Sequence, residues 1–473
     1  MKNILVQKSG FTVDFAKMMG DNRLQSEDFV ALSAQIQRAH ANITKMRNTG
    51  LSSSNELVLF PTLPYIQEDK LNSPTSIQKI LDYAESLHGK LDAVVNIGIG
   101  GSYLGARVLT DGLCGLYWNT LSAEERQGYP QVYFTGNNLD AEALDGLQQL
   151  LMRQSKQKGS AFKIALLVVS KSGTTMENAA SFMSLYNHLS QADNICLEVS
   201  VITQSDPKGK NPLENLAKLN KWPIFRVPEG IGGRFCALAD PGLLLAALMG
   251  LDIKELLRGA RDMQEACTTD DIENNAALLL ASCKYLAREK HGKYIEVFMP
   301  YCEKLKALAE WYVQLLAESL GKKYNQNGQQ VHYSRTPLVA VGSTDMHAQT
   351  QEHQEGMNNK VIQFVRIQQP KTDVIVPDTF KGDEFFKKFV GLSMNEINDI
   401  ALKSNANALN SEQRFSLTVE LPELNAYFLG ALMYCCMLSI AYEGELAQIN
   451  AFDQPGVEVY KSFMRAQMRD LNK

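Results

Sequence analysis

The sequence predicts an α/β protein: two doubly wound parallel sheets, a helical N-terminal arm and a C-terminal helical tail. Three observations carry this. From residue 91 onward, short apolar runs alternate with helical stretches. The runs are rich in Val, Ile, Leu and Phe without strict alternation, as strands buried on both faces are. A second set of such runs follows a long helical middle. The expected organisation is an arm over 1–90, an α/β unit over 91–240, a helical connection over 241–290, a second α/β unit over 291–445 and a tail over 446–473.

The elements follow in order. In the arm, Phe11, Phe15, Met18 and Met19 recur at helical spacing, and Ser26-Glu27-Asp28 marks a helix start. Residues 57–66, with two prolines, link the arm to the first α/β unit. The first strand set reads as 93–97, 131–134, 163–169, 197–202 and 223–227. Helices between these strands imply right-handed β-α-β crossovers. The middle, 242–289, carries Leu243, Leu244 and Leu245 and the periodic Ile253, Leu256 and Leu257. In the second set 295–299 and 361–367 are the clearest strands, with a helix over 303–320 between them and a weaker strand at 337–341. The uncharged run 425–442 borders on the length of a membrane span. Short, single and without basic flanks, it reads as a helix buried between layers.

Composition narrows the function classes. The chain has 473 residues, 45% hydrophobic and 21% charged, with a formal charge of −5. That is a soluble, globular balance with no basic footprint for nucleic acid or a membrane surface. Its eight cysteines form no C-x-x-C pair, so neither a metal site nor a disulfide framework is expected. Reduced thiols and an N-terminus without an apolar signal run point to the cytoplasm.

Six segments carry candidate chemistry. Asn96-Ile97-Gly98-Ile99-Gly100-Gly101-Ser102 closes the first strand; its glycines suit either a tight strand-to-helix turn or an anion loop, and fit a dinucleotide fingerprint poorly. Ser170-Lys171-Ser172-Gly173-Thr174-Thr175-Met176-Glu177 follows the strongest strand. Thr174 and Glu177 have capping-box spacing, so the loop should end on a helix N-terminus. Four hydroxyls there exceed what a cap needs and suggest a phosphate cradle, although the G-x-x-x-x-G-K pattern of an NTPase is missing. In Glu229-Gly230-Ile231-Gly232-Gly233-Arg234-Phe235-Cys236, Arg234 is either a ligand-reaching cation or a solvated arginine on a turn.

Gln314 and Glu318 are four apart on one helix face, ahead of Gly321-Lys322. Glu318 in a last turn meets the negative end of the helix dipole, which should raise its pKa toward that of a general base. A solvated glutamate is the plainer reading. Gly342-Ser343-Thr344-Asp345-Met346-His347 places a histidine in a strand-end loop, where of seven histidines only His347 and His353 lie. Finally, Phe452-Asp453-Gln454-Pro455-Gly456-Val457-Glu458 leads into a helix with Lys461 one turn in.

Taken in order, G-I-G-G-S, S-K-S-G-T-T, G-I-G-G-R-F, Q-L-L-A-E-S-x-G-K, S-T-D-x-H and F-D-Q-P-G-V-E-x-x-K resemble the phosphoglucose isomerase family from about residue 93 to the C-terminus. The resemblance implies two sugar-isomerase (SIS) domains and reversible isomerisation of glucose 6-phosphate and fructose 6-phosphate, without cofactor or metal. It implies that Gly101 and Ser102 line the sugar pocket and that Ser170, Lys171, Ser172, Thr174 and Thr175 hold the phosphate. Gln314 would bind sugar hydroxyls, Glu318 would move the proton between adjacent carbons, and Arg234 would stabilise the enediolate. His347 and Lys461 would open and close the ring, with Gln454 near the substrate. It also implies a homodimer with shared sites, since in the family the histidine reaches in from the neighbouring subunit.

One position departs from the family pattern, Cys236, where Ser or Thr is usual. A thiol is a weak donor, so substrate affinity falls if that side chain positions Arg234. Two rival readings are a sugar-phosphate sensor, which need not keep Glu318, His347 and Lys461 together, and an isomerase that also takes mannose 6-phosphate.

Overall fold

The computed structural model describes residues 3–471. Its first elements correct one expectation. Residues 11–19 form no helix: Ile4–Val6 (β1) and Thr12–Asp14 (β2) pair as antiparallel strands, and Ala16–Met18 is a short 3-10 turn. Phe11, Val13 and Phe15 all lie in the core, at most 2% exposed. A period-two set thus competed with the period-four set, and strand pairing with a distant sheet decided between them. Ser26–Thr49 (α1) begins where expected, with the Asp28 carboxylate accepting from the Gln25 N–H at 2.8 Å. Pro74–Leu87 (α2) comes next.

The first sheet is built from Ala93–Ile97 (β3), Gly101–Cys114 (α3), Gln131–Thr135 (β4), Ala141–Lys158 (α4), Phe162–Val169 (β5), Met176–Ser190 (α5), Ile195–Thr203 (β6), Pro212–Asn220 (α6) and Ile224–Arg226 (β7). Its strands are all parallel in the order β4-β3-β5-β6-β7. All five predicted strands are present. The order reverses between β3 and β5, and ligands of such sheets bind beyond the carboxyl ends of the strands at that point. The first two glycine- and hydroxyl-rich loops leave from there.

Asp240–Leu248 (α7), Ile253–Ala266 (α8) and Ala276–His291 (α9) form the helical middle. The second set comprises Ile295–Pro300 (β8), Lys306–Leu320 (α10), the hairpin Lys322–Tyr324 (β9) and Gln330–Tyr333 (β10), Thr336–Val339 (β11), Thr350–Glu355 (α11), Lys360–Ile367 (β12), Met394–Ser411 (α12) and Phe415–Leu421 (β13). Parallel strands run β11-β8-β12-β13, the same arrangement as β4-β3-β5-β6. Antiparallel β2 and β1 extend this sheet, so the arm completes the second unit.

Ala426–Leu446 (α13) is the one helix among the described residues long and apolar enough to cross a membrane, yet 89% of its apolar window is buried in the fold. It packs on α8 and α9 and carries Glu443 into a buried ionic network. Arg335 bonds Glu443 and, at 2.7 Å, Glu296, while Glu296 also takes Lys284 at 2.6 Å and the Tyr312 hydroxyl at 2.8 Å. Removing one partner would strand a buried charge, so the network fixes α10 against β8 and α13. Pro455–Leu471 (α14) ends the described chain.

Candidate active site

The loop after β5 departs from its predicted capping box. Gly173 has φ +68°, and a Cβ there would meet Asn211 Oδ1 at 2.0 Å, so the chain turns before the helix can begin. α5 therefore starts at Met176, Thr175 is its N-cap residue, and no side chain caps it. The hydroxyls bond one another instead: Ser170 Oγ to Thr175 Oγ1 at 3.0 Å, and Ser172 Oγ to Thr174 Oγ1 at 2.9 Å. The leading amides of a fifteen-residue helix thus face the loop with no side-chain acceptor, an arrangement that attracts anions. Lys171 donates its ammonium to the Ile231 carbonyl at 2.8 Å, and burial lowers its pKa. It pins this loop to the 229–236 segment.

The β3–α3 turn meets the same segment. A Cβ on Gly101 would lie 1.8 Å from the Gly233 carbonyl oxygen, so two backbones touch where Gly101 stands. Ser102 is half-buried on the first turn of α3, and Gly100 lies against the Gln314 amide. Cys236 does not position Arg234. Its buried thiol, pushed up to about 12 by burial, donates to the Gly101 carbonyl at 3.6 Å. The condition under which Cys236 would lower affinity, a side chain bonded to the arginine, is not met by this contact.

Arg234 is fully buried, not a solvated turn residue. Its Nε donates to Ser319 Oγ at 2.7 Å and its Nη2 to the Ala451 carbonyl at 2.7 Å. Its Nη1 bonds Gln454 Oε1 and lies 3.4 Å from Glu318 Oε2. Burial lowers the guanidinium's pKa and Glu318 opposes that. Gln314 donates to Glu318 Oε1 at 3.1 Å, while its own Oε1 is buried without a partner among the described residues. Glu318 sits in the last turn of α10 with its side chain 28% exposed, and Gln454 at the rim of the cluster is exposed. A carboxylate, an amide acceptor and a fixed cation so arranged can relay a proton beside a developing oxyanion.

The other two predicted acid–base groups lie apart from this cluster. His347 is exposed after the 3-10 turn Thr344–Met346, and its side chain makes no hydrogen bond or ion pair among the described residues. Lys461 is on α14, paired with Glu458 at 2.9 Å. His353 is 2% exposed, and burial lowers its pKa. Sequence reasoning assigned no role to Ser319 or Lys322. A lysine just past a helix end reads as a dipole partner, and nothing local reveals that Lys322 is only 5% exposed.

A model of the phosphoglucose isomerase family matches residues 75–473. A glucose-6-phosphate isomerase of Carboxydothermus hydrogenoformans is 34% identical over 451 residues, covering 95% of this chain and 92% of that protein. One of Clostridium novyi is 31% identical over 435 residues, covering 92% and 91%. Among solved structures, a hypothetical protein of Thermus thermophilus superposes with TM-score 0.80 at 27% identity, covering 97% and 99% of the two chains. A glucose-6-phosphate isomerase of Chlamydia trachomatis superposes with TM-score 0.79 at 20% identity, covering 99% and 90%, a likeness of fold.

Proposed function

The chain belongs to the phosphoglucose isomerase family and interconverts glucose 6-phosphate and fructose 6-phosphate, and from that premise we propose how its residues divide the work. The hydroxyls of Ser170, Ser172, Thr174 and Thr175, with the α5 amides, take the phosphate, and Lys171 holds that loop in place. Gly101 and Ser102 form the adjoining wall, and Gln314 binds sugar hydroxyls. With the ring open, Glu318 removes the proton from one carbon and returns it to its neighbour. Arg234, held by Ser319 and Gln454, balances the charge on the intervening oxygens. The supporting observation is that Arg234 and Gln314 both reach the half-open Glu318 carboxylate while Gln454 holds Arg234, which brings together three segments far apart in sequence.

His347 and Lys461 serve ring opening, one giving a proton to the ring oxygen as the other takes one from the anomeric hydroxyl. We place them in the neighbouring copy's site and its own respectively, which makes the working unit a homodimer. The apolar residues exposed on α14, Val459, Tyr460 and Phe463, favour such a contact. The domains we propose are 1–90, 91–240, 241–290, 291–445 and 446–473, with the first strands of the arm serving the second unit's sheet. We also propose a cytoplasmic setting, in keeping with eight free cysteines.

The test is a coupled assay of glucose 6-phosphate formation in the presence of a chelator. Among the described residues no three His, Cys, Asp or Glu side chains stand together to hold a metal ion, so undiminished turnover is expected. Loss with chelator and recovery with Zn²⁺ or Fe²⁺ would overturn the metal-free mechanism.

A further inference from the structure

We infer that Lys322 is a positioning residue of the active site, locking the carboxyl end of the helix that carries Glu318 to the turn that carries Gln454. Its Nζ donates to the Glu318 carbonyl at 2.6 Å and to the Asp453 carbonyl at 3.0 Å, with Asp453 Oδ1 at 3.5 Å. The Glu318 carbonyl lies among the last four of α10, which have no partner within the helix. The Asp453 carbonyl also takes Arg234 Nη2 at 3.3 Å. One ammonium therefore braces the base's backbone, and through Asp453 it shares an acceptor with the cation facing that base. A solvated lysine would pair with a side chain at the surface. This one is sealed beneath the site, with both carbonyls as its direct partners.

The inference rests on the roles proposed above for Glu318 and Arg234. It carries a consequence for pH. The charged groups that bear on Lys322 are Arg234 from the 3-10 turn Gly233–Leu238, Asp453 from the turn ahead of α14 and Glu318 from its own side of the helix end. Burial, with Arg234 adding to it, lowers its pKa to about 8. The cationic form carries three N–H donors, and the neutral form loses one and their strength. Because the folded pKa is lowered, the proton leaves as pH rises through about 8, so the brace weakens on the alkaline side. The cost of burying the charge runs the other way, stability rising between about pH 8 and the unfolded pKa of about 10.4. Activity and stability should then part company above pH 8.

The experiment compares wild type, Lys322→Met and Lys322→Arg in steady state from pH 6 to 10, with circular dichroism at each pH. For folded Lys322→Met the expectation is kcat lower by about tenfold or more, KM within about threefold and no alkaline limb near pH 8. Lys322→Arg keeps a cation that does not titrate, so its activity should hold above pH 8 where wild type declines. A folded Lys322→Met with kcat within about twofold of wild type overturns the inference. So does an alkaline limb unchanged in either variant. Should Lys322→Met not fold, the Lys322→Arg profile decides. Failure of the underlying site reading is told apart by Glu318→Gln: if that variant stays active the roles themselves are wrong, whatever Lys322 does.

Discussion

Two regions of the molecule present acid–base groups in opposite ways. Around Arg234 the chain supplies its own partners: Ser319, Gln454, Ala451, Asp453 and Glu318 are all within hydrogen-bond or ion-pair reach of one buried guanidinium. Around His347 and Lys461 there is solvent, a free imidazole and a pair with Glu458 three residues away. A buried group is held by what already surrounds it, whereas an exposed group gains a fixed geometry only when something docks on it. The difference teaches that one chain can bring together the proton-transfer half of the proposed site, whereas the role proposed for His347 depends on assembly.

The sharpest way to break that comparison is to strike its inner half. Glu318→Gln keeps the side chain's shape and its contact with Gln314 but removes the base. Turnover should fall by about 10² or more, the range of general acid–base groups or beyond. KM should change little, and circular dichroism should be unchanged. A variant within about threefold of wild type would take Glu318 out of its role and leave the buried cluster a packing feature.

The outer half is tested by complementation. Glu318→Gln and His347→Ala chains, each inactive alone, are mixed under conditions of subunit exchange. Random pairing makes about half the dimers mixed, each with one site holding both native groups, so about a quarter of wild-type activity should return. No recovery despite exchange on a native gel would put His347 in its own chain's site, and the contrast between inner and outer groups would lose its catalytic meaning.

The two regions also differ in how far the sequence reveals them. The first sheet was legible because its strands are buried on both faces and read as unbroken apolar runs, as in Phe162–Val169. β13 was missed: Phe415–Leu421 mixes Ser, Thr and Glu among its apolar residues, and its place is set by pairing with β12 and β2. The arm was misread because strand and helix periods coincide at Phe11 and Phe15. Within the site, the order of motifs marked the residues, but contact did not follow from it. That Arg234 is buried, that Lys171 binds a backbone carbonyl and that Cys236 faces Gly101 depend on two glycine loops meeting, a distance effect with no local signature.

The phosphate loop lies between these extremes, partly exposed yet internally bonded. Thr175→Ala deletes a hydroxyl that caps nothing and bonds only Ser170. If it serves the phosphate, KM should rise by about tenfold, the worth of one hydrogen bond to a charged group, with kcat nearly unchanged. An unchanged KM would assign the hydroxyls to loop structure alone.

The smallest effect is expected at Cys236, and it tests whether the inner cluster tolerates change at its rim. The thiol donates to the Gly101 carbonyl, one loop away from Arg234, and burial holds it protonated. Cys236→Ser replaces a weak donor by a stronger one at the same carbonyl. The hydroxyl is smaller than the thiol and draws the two glycine loops together, leaving the five bonds to Arg234 as they are. KM and kcat should therefore each stay within about twofold, while melting temperature changes by a few degrees at most. A rise in affinity well beyond that would mean the side chain acts on Arg234 after all. The boundary between the rigid inner cluster and its surroundings would then lie one residue further out than the geometry draws it.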